Sequence, residues 1–119
     1  MRILWCWRCR KDVPMLDEVE YAEVERLHAG YRPRLDELQP QIASSAQAKA
    51  EFNRLISERD LLAMEIFAKH TGRQPTEPFE VLHHRLALYG PPCGKCGKPL
   101  RTPKASVCGN CGWKPKPKA

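Results

Sequence analysis

Six cysteines arranged as three Cys-x-x-Cys pairs constrain this chain more than any other feature. The last two pairs are close together: Cys93-Gly94-Lys95-Cys96, eleven residues, then Cys108-Gly109-Asn110-Cys111. The remaining pair, Cys6-Trp7-Arg8-Cys9, lies near the N-terminus. A turn that presents two thiolates supplies half of a tetrahedral zinc site, so two such turns complete one. Gly97 and Gly112 follow the C-terminal pairs. Glycine there lets the backbone curl until its amides point at the sulfurs. Zinc held by Cys93, Cys96, Cys108 and Cys111 is therefore expected. Four cysteines leave no position for water or substrate, so the expected role is structural and not catalytic.

Cys6 and Cys9 are followed by Arg10 instead of glycine, and no fourth pair exists to complete a second four-cysteine site. Four readings stay open. The pair binds a second zinc together with a histidine, shares a site with one of the C-terminal pairs, works as a redox dithiol, or is reduced and inert. Metal binding is the favoured reading. His83 and His84 are the candidate histidines, because they lie just upstream of Cys93. Adjacent helical residues point about 100° apart, so one ion is expected to use at most one of them. One zinc is expected in the chain, and a second is left open. His28 and His70 sit near predicted helix ends, where capping of the last carbonyls is the simpler role.

The net charge of +6 conceals an asymmetry. All fourteen acidic residues fall between Asp12 and Glu80 with eight Lys and Arg, whereas the two ends hold twelve basic residues and no acid. A zinc ion with four thiolates carries a formal charge of −2 and accounts for part of that excess. The rest suits an anionic partner. The N-terminus is too short in apolar residues for an export signal, and no stretch is long enough to span a bilayer. A reducing cytoplasm is therefore the expected compartment.

Between the cysteines the chain reads as helical, so the expected fold is mainly α. A helical hairpin or bundle should carry a C-terminal zinc-ribbon module of short β-strands and an N-terminal Cys-x-x-Cys knuckle. The units expected are a knuckle over 1–14, a helical body over 15–90, a ribbon over 91–113 and a mobile basic tail over 114–119. Residues 3–11 read as a short strand or turn, broken by Asp12-Val13-Pro14. Asp17 with Glu20 matches a capping box. A first helix should run from there to about His28 with Val19, Val24 and Leu27 inward, and stop at Gly30. A short second helix is expected from Pro33 to Pro40. The longest helix starts near Ser44, buries a face from Phe52 to Phe67 interrupted by Arg59, and closes at Gly72. A last helix is expected from near Thr76 through Leu88, with Pro78 in its first turn. The acidic run from Asp17 to Glu25 reads as a solvated face at a helix N-terminus.

Cys93, Cys96, Cys108 and Cys111, with turn-forming residues from Gly97 to Lys104 between them, resemble a zinc ribbon. That family consists of small β-hairpin modules held by four cysteines. More widely, Cys6-Trp7-Arg8-Cys9, Val13-Pro14-Met15-Leu16-Asp17-Glu18 and His83-His84-Arg85-Leu86 leading to Gly90-Pro91-Pro92-Cys93 are similar to a group of small bacterial zinc-ribbon proteins. The resemblance implies that both ends belong to one unit. It implies no function.

Trp5, Trp7 and Trp113 each lie within two residues of a cysteine. They read first as apolar lids on small metal sites. The favoured function is non-catalytic recognition of a protein partner, as an adaptor, regulator or neutralising protein. The alternative is nucleic-acid binding through Trp5, Trp7, Arg8, Arg10, Lys95, Lys98, Arg101, Lys104 and Trp113. A thiol redox role of Cys6 and Cys9 comes third. No motif of an enzyme is present, no membrane partner is expected, and the oligomeric state is left open.

Overall fold

The computed structural model describes residues 2–114. Lys114 is exposed coil, and the rest of the predicted basic tail lies outside the described residues. The chain is mainly helical, with one small sheet. Strands β1 (Arg2–Cys6) and β2 (Lys11–Met15) form an antiparallel hairpin, with Cys6 opposite Lys11 and Ile3 opposite Pro14. Pro14 was expected to break the chain, yet it lies within β2. A two-stranded ribbon accommodates proline because no third strand asks for its missing N–H. Beyond β2, Leu16 forms a parallel bridge with Arg85: its amide donates to the His84 carbonyl (2.9 Å) and its carbonyl accepts from the Leu86 amide (2.9 Å).

Helix α1 covers Glu18–Leu38 and α2 covers Ala46–Thr71, joined by a short 3₁₀ turn over Gln39–Gln41. The Asp17–Glu20 capping box is formed in both directions, at 2.8 and 3.0 Å. Ser45, one residue later than expected, caps α2 by accepting from the Ala48 amide. Gly72 ends α2 in a left-handed conformation at φ +71°.

The first helix does not stop at Gly30, and no separate second helix follows. Gly30 and Pro33 lie inside α1. Packing against α2 overrides both weak residues, since Leu35 and Leu38 beyond them are buried. Farther out, Arg34 clamps Glu51 with paired hydrogen bonds of 3.0 and 2.8 Å. Gly30 has open space around its α-carbon. Gly30→Ala is therefore expected to stabilise the protein by about 0.5–1 kcal/mol, readable as a shift in urea midpoint. A true helix stop at this position would make the same change destabilising.

The core at the base of the hairpin gathers Leu16, Tyr21, Val24, Ala63, Phe67 and Val81. Val19, expected inward, is 83% exposed, and Tyr21 takes the inner position instead. Arg59 does pair with an acid, Asp60, at 3.0 Å. The acidic run of α1 is not simply solvated. Glu23 meets Lys69 and His70, while Glu18 and Glu25 both meet Arg85, whose guanidinium also lies 4.2 Å from the Tyr21 ring centroid. His70 therefore pairs with acids across the hairpin, and His28 lies within α1 and not at its end.

The last helix is much shorter than expected. Helix α3 spans only Phe79–His83, and a 3₁₀ turn follows over Leu86–Leu88. Its start is set by Glu80, whose carboxylate accepts from the amides of Thr76 and Glu77. Its end is set by Leu16, whose bridge holds Arg85 in extended backbone and turns His84 out of the helix. Among the described residues the C-terminal segment forms no β-ladder, only an isolated bridge between Pro92 and Pro99. Prolines at 91, 92, 99 and 103 remove the donors that two strands need.

The molecule measures 56 × 30 × 24 Å, with a radius of gyration of 18.0 Å. A compact chain of this length has a radius of about 13–14 Å. The excess is the α1–α2 hairpin, which projects from a base built by both chain ends.

Candidate metal centres

Three turns of the backbone share one construction. In each, the residue after the second cysteine donates its amide to the carbonyl of the first: Arg10 to Cys6 (2.8 Å), Gly97 to Cys93 (3.0 Å) and Gly112 to Cys108 (2.9 Å). All three donors are left-handed, with φ of +54°, +80° and +77°. Arg10 thus does the work of the missing glycine at some conformational cost. A β-branched side chain tolerates that region least. Arg10→Val is expected to destabilise the N-terminal turn by about 1–2 kcal/mol and weaken metal retention there, measured by chelator competition.

Curled this way, each turn aims amides at its first sulfur. Cys93 Sγ accepts from the amides of Lys95 (3.3 Å) and Cys96 (3.4 Å), Cys108 Sγ from Asn110 (3.4 Å), and Cys6 Sγ from Cys9 (3.5 Å). Such donors favour thiolates. Burial opposes ionisation of Cys93, yet these two amides, with hydrogen bonds from the Cys111 and Cys96 side chains, outweigh it and bring its thiol down to about 6. The Lys98 amide also holds Cys96 down. The amide of Trp113 favours the thiolate of Cys111, but burial and the neighbouring sulfurs push that thiol up to about 11.

The six cysteines are all free thiols and fall into two groups. In the first, Cys93, Cys96, Cys108 and Cys111 place their sulfurs within 4.8 Å of one another. Cys93 lies 3.5 Å from Cys111, and Cys96 lies 3.7 Å from Cys108. A tetrahedral ion with metal–sulfur bonds near 2.3 Å sets its sulfurs about 3.8 Å apart. The group therefore fits a metal ion in number, chemistry and spacing. Around it lie Leu100, Ala105, Trp7 and Trp113. Trp113 covers Gly94 so closely that a β-carbon there would stand 2.6 Å from its ring.

The second group joins Cys6 and Cys9 to both His83 and His84, again with ligand atoms within 4.8 Å. Cys9 Sγ lies 3.6 Å from Nε2 of His83 and 3.3 Å from Nε2 of His84. A tetrahedral ion with typical bonds to sulfur and nitrogen sets such pairs about 3.6 Å apart. The expectation that at most one histidine could approach the site rested on both being helical. His84 is not: its φ/ψ of −97°/56° turns it out of α3, so the two rings converge, 4.5 Å apart and nearly perpendicular. Burial, aided by its neighbour His83, brings His84 down to about 4, and burial also lowers His83. Both imidazoles are then neutral at pH 7, the state that offers a lone pair to a metal.

Tyr89 supports this group from behind, its hydroxyl 2.8 Å from the His83 carbonyl and 3.4 Å from Cys6 Sγ. Sequence reasoning missed Tyr89, which lies 83 positions from Cys6 and carries no local signal. Burial raises the thiol of Cys9, with Cys6 adding to the effect. The N-terminal pair does not share a site with a C-terminal turn. The two groups are nevertheless adjoined through Trp7, whose indole N–H donates to the Pro99 carbonyl at 2.9 Å.

No protein-family model, curated protein or solved structure matches this chain. What the geometry establishes is two Cys/His groups able to hold metal ions, the C-terminal one like a zinc ribbon in its cysteine spacing. No described helix is long and apolar enough to cross a membrane.

The remaining residues singled out for nucleic-acid binding lie on the metal-bearing base. Lys98 Nζ sits 3.7 Å from the Trp5 ring centroid, and the Arg101 guanidinium carbon sits 5.0 Å from that of Trp7. Trp5 and Trp7 meet edge to face at 6.5 Å. Arg8, Arg10, Lys95, Arg101 and Lys104 are exposed.

Proposed function

We propose that this is a non-catalytic zinc-binding protein that recognises another protein, with two zinc ions fastening its ends and the helical hairpin presenting the recognition surface. The observation that carries this reading is the projection of α1–α2 from the base. Two paired helices cover only their shared face, and α2 leaves Leu61 62% exposed. At the root of the hairpin Phe79 and Leu82, 55% and 44% exposed, edge a recess of about 280 Å³. Zinc is preferred because thiolate and imidazole in tetrahedral sets of four suit it, and saturated sites favour structure over catalysis. The cytoplasm suits six reduced cysteines. The role is that of an adaptor, regulator or neutralising partner.

A second reading, binding of nucleic acid by the base, draws on Arg8, Arg10, Lys95 and Lys104, which have no acidic partner among the described residues. Against it, cations of the chain itself lie over Trp5 and Trp7, where bases would stack. The redox reading is weakened by the raised Cys9 thiol, since thiolate is the reactive form.

The test pairs two measurements on zinc-loaded protein. Labelled single- and double-stranded nucleic acid is titrated across a salt series, and partners are captured from the native cell extract with wild-type protein and with the double variant Phe79→Glu, Leu82→Glu. The protein reading expects one partner retained at moderate salt and lost with the variant. Tight nucleic-acid binding with a steep salt slope, and no partner sensitive to the variant, would overturn it.

A further inference from the structure

Beside the N-terminal metal group, with its ligand His83 and its support Tyr89 in one wall, lies a recess of about 320 Å³ lined also by Trp7, Arg8, Leu88 and Arg101. Its size is at the lower end of the range for small-molecule sites. The lining is sharply divided in chemistry. Arg8 and Arg101 bring two guanidiniums, and neither has an acidic partner among the described residues. Trp7, Leu88 and Tyr89 supply apolar wall. No carboxylate lines it.

Arg101 is already arranged for an anion. Its guanidinium carbon lies 5.0 Å from the Trp7 ring centroid, a cation–π contact that uses none of its N–H donors. Such a guanidinium keeps its planar fork of donors for carboxylate or phosphate. Trp7 is itself held in place by its hydrogen bond to Pro99, so the platform does not depend on a ligand to form it. Tyr89 is likewise fixed, its hydroxyl being spent on the His83 carbonyl and Cys6. It therefore presents ring and not hydroxyl.

Two unpaired guanidiniums match a group of charge near −2. A phosphate monoester carries about −1.5 to −2 at pH 7, whereas a carboxylate carries only one charge. The apolar wall beside them suits a flat aromatic body attached to that phosphate. We propose that this recess binds a nucleoside monophosphate, its phosphate between Arg8 and Arg101 and its base against Leu88 and the ring of Tyr89. Free nucleotide and the 5′-phosphorylated end of a single strand offer the same chemistry. The site is independent of the protein partner proposed above, because it lies on the base and not on the hairpin.

The experiment uses full-length metal-loaded protein and follows tryptophan fluorescence and titration heat. The probes are adenosine monophosphate, adenosine, inorganic phosphate, and one short single strand with and without a 5′-phosphate. Saturable binding of the monophosphate is expected, with adenosine and inorganic phosphate each about tenfold weaker or more. Arg8→Gln and Arg101→Gln should each weaken the monophosphate about tenfold, with metal content and circular dichroism unchanged because both side chains are exposed. A preference for the 5′-phosphorylated strand would assign the site to strand ends, and binding of the monophosphate alone would assign it to free nucleotide. Lack of saturable binding, equal binding of adenosine, equal binding of inorganic phosphate, or wild-type affinity in both variants would each overturn the proposal.

Discussion

Cys108→Ser is expected to lower the bound metal from two ions per chain to one and to unfold the C-terminal segment while leaving the helical hairpin intact. The reason is the poverty of the core around that centre. Among the described residues, the buried hydrophobic cluster there holds Leu100 besides Cys93 and Cys108. A few backbone hydrogen bonds complete it, among them Gly90 to Leu100 (2.7 Å) and Cys108 to Trp113 (2.7 Å). In such modules metal affinity is folding energy, about 10–16 kcal/mol for a complete zinc site. Serine is a poor ligand, and the three remaining sulfurs would hold the ion orders of magnitude more weakly. Elemental analysis gives the metal count. Limited trypsin digestion gives the local order, with new cuts expected at Lys95, Arg101 and Lys104. An unchanged count together with unchanged cleavage would disprove the assignment.

His84→Ala is expected to remove the ion of the N-terminal centre, and His83→Ala to do the same, while the C-terminal centre keeps its metal in both. His84 should cost more stability. His84 is 3% exposed and its ring packs 5.9 Å from Phe67, so truncation opens a cavity against α2 in addition to losing a ligand. The combined loss is about 3 kcal/mol or more, seen as a lower Tm. The backbone carbonyl of residue 84 that accepts from Leu16 survives the change, so the strand bridge itself is not the part removed. Cobalt substitution separates the possibilities by spectrum. If only one histidine variant lowers the metal count, the centre has three protein ligands and an open position, and the structural reading of that centre fails.

The cysteine turns were legible from sequence because everything that forms them is local. Ligand type, spacing and the following residue lie within five positions, and Gly97 and Gly112 adopt the left-handed backbone that their identity suggests. Arg10 shows the limit of that logic. The same backbone forms without glycine, because the hydrogen bond to Cys6 and the adjoining β-hairpin hold it. The caps at Asp17 and Gly72 were equally local. Gly30 and Pro33 misled because their cost, on the order of 1 kcal/mol for the glycine and about 3 kcal/mol for the proline, is smaller than the gain from packing Leu35 and Leu38 against α2. Short strands in the C-terminal module were expected from a resemblance, and the chain's own prolines prevent them.

By itself the sequence determined the ligand chemistry, the helical middle and the charge contrast between ends and body, since each depends on residue type or on spacing within a few positions. Only the tertiary structure decided that His83 and His84 both meet Cys6 and Cys9. That outcome needs Leu16, almost seventy positions earlier, to form a bridge with Arg85 and pull the chain out of its helix. It also placed Tyr89 behind the cysteines and two arginines around Trp7. A helix ends where a distant strand offers better hydrogen bonds, and no local pattern records where that strand will lie.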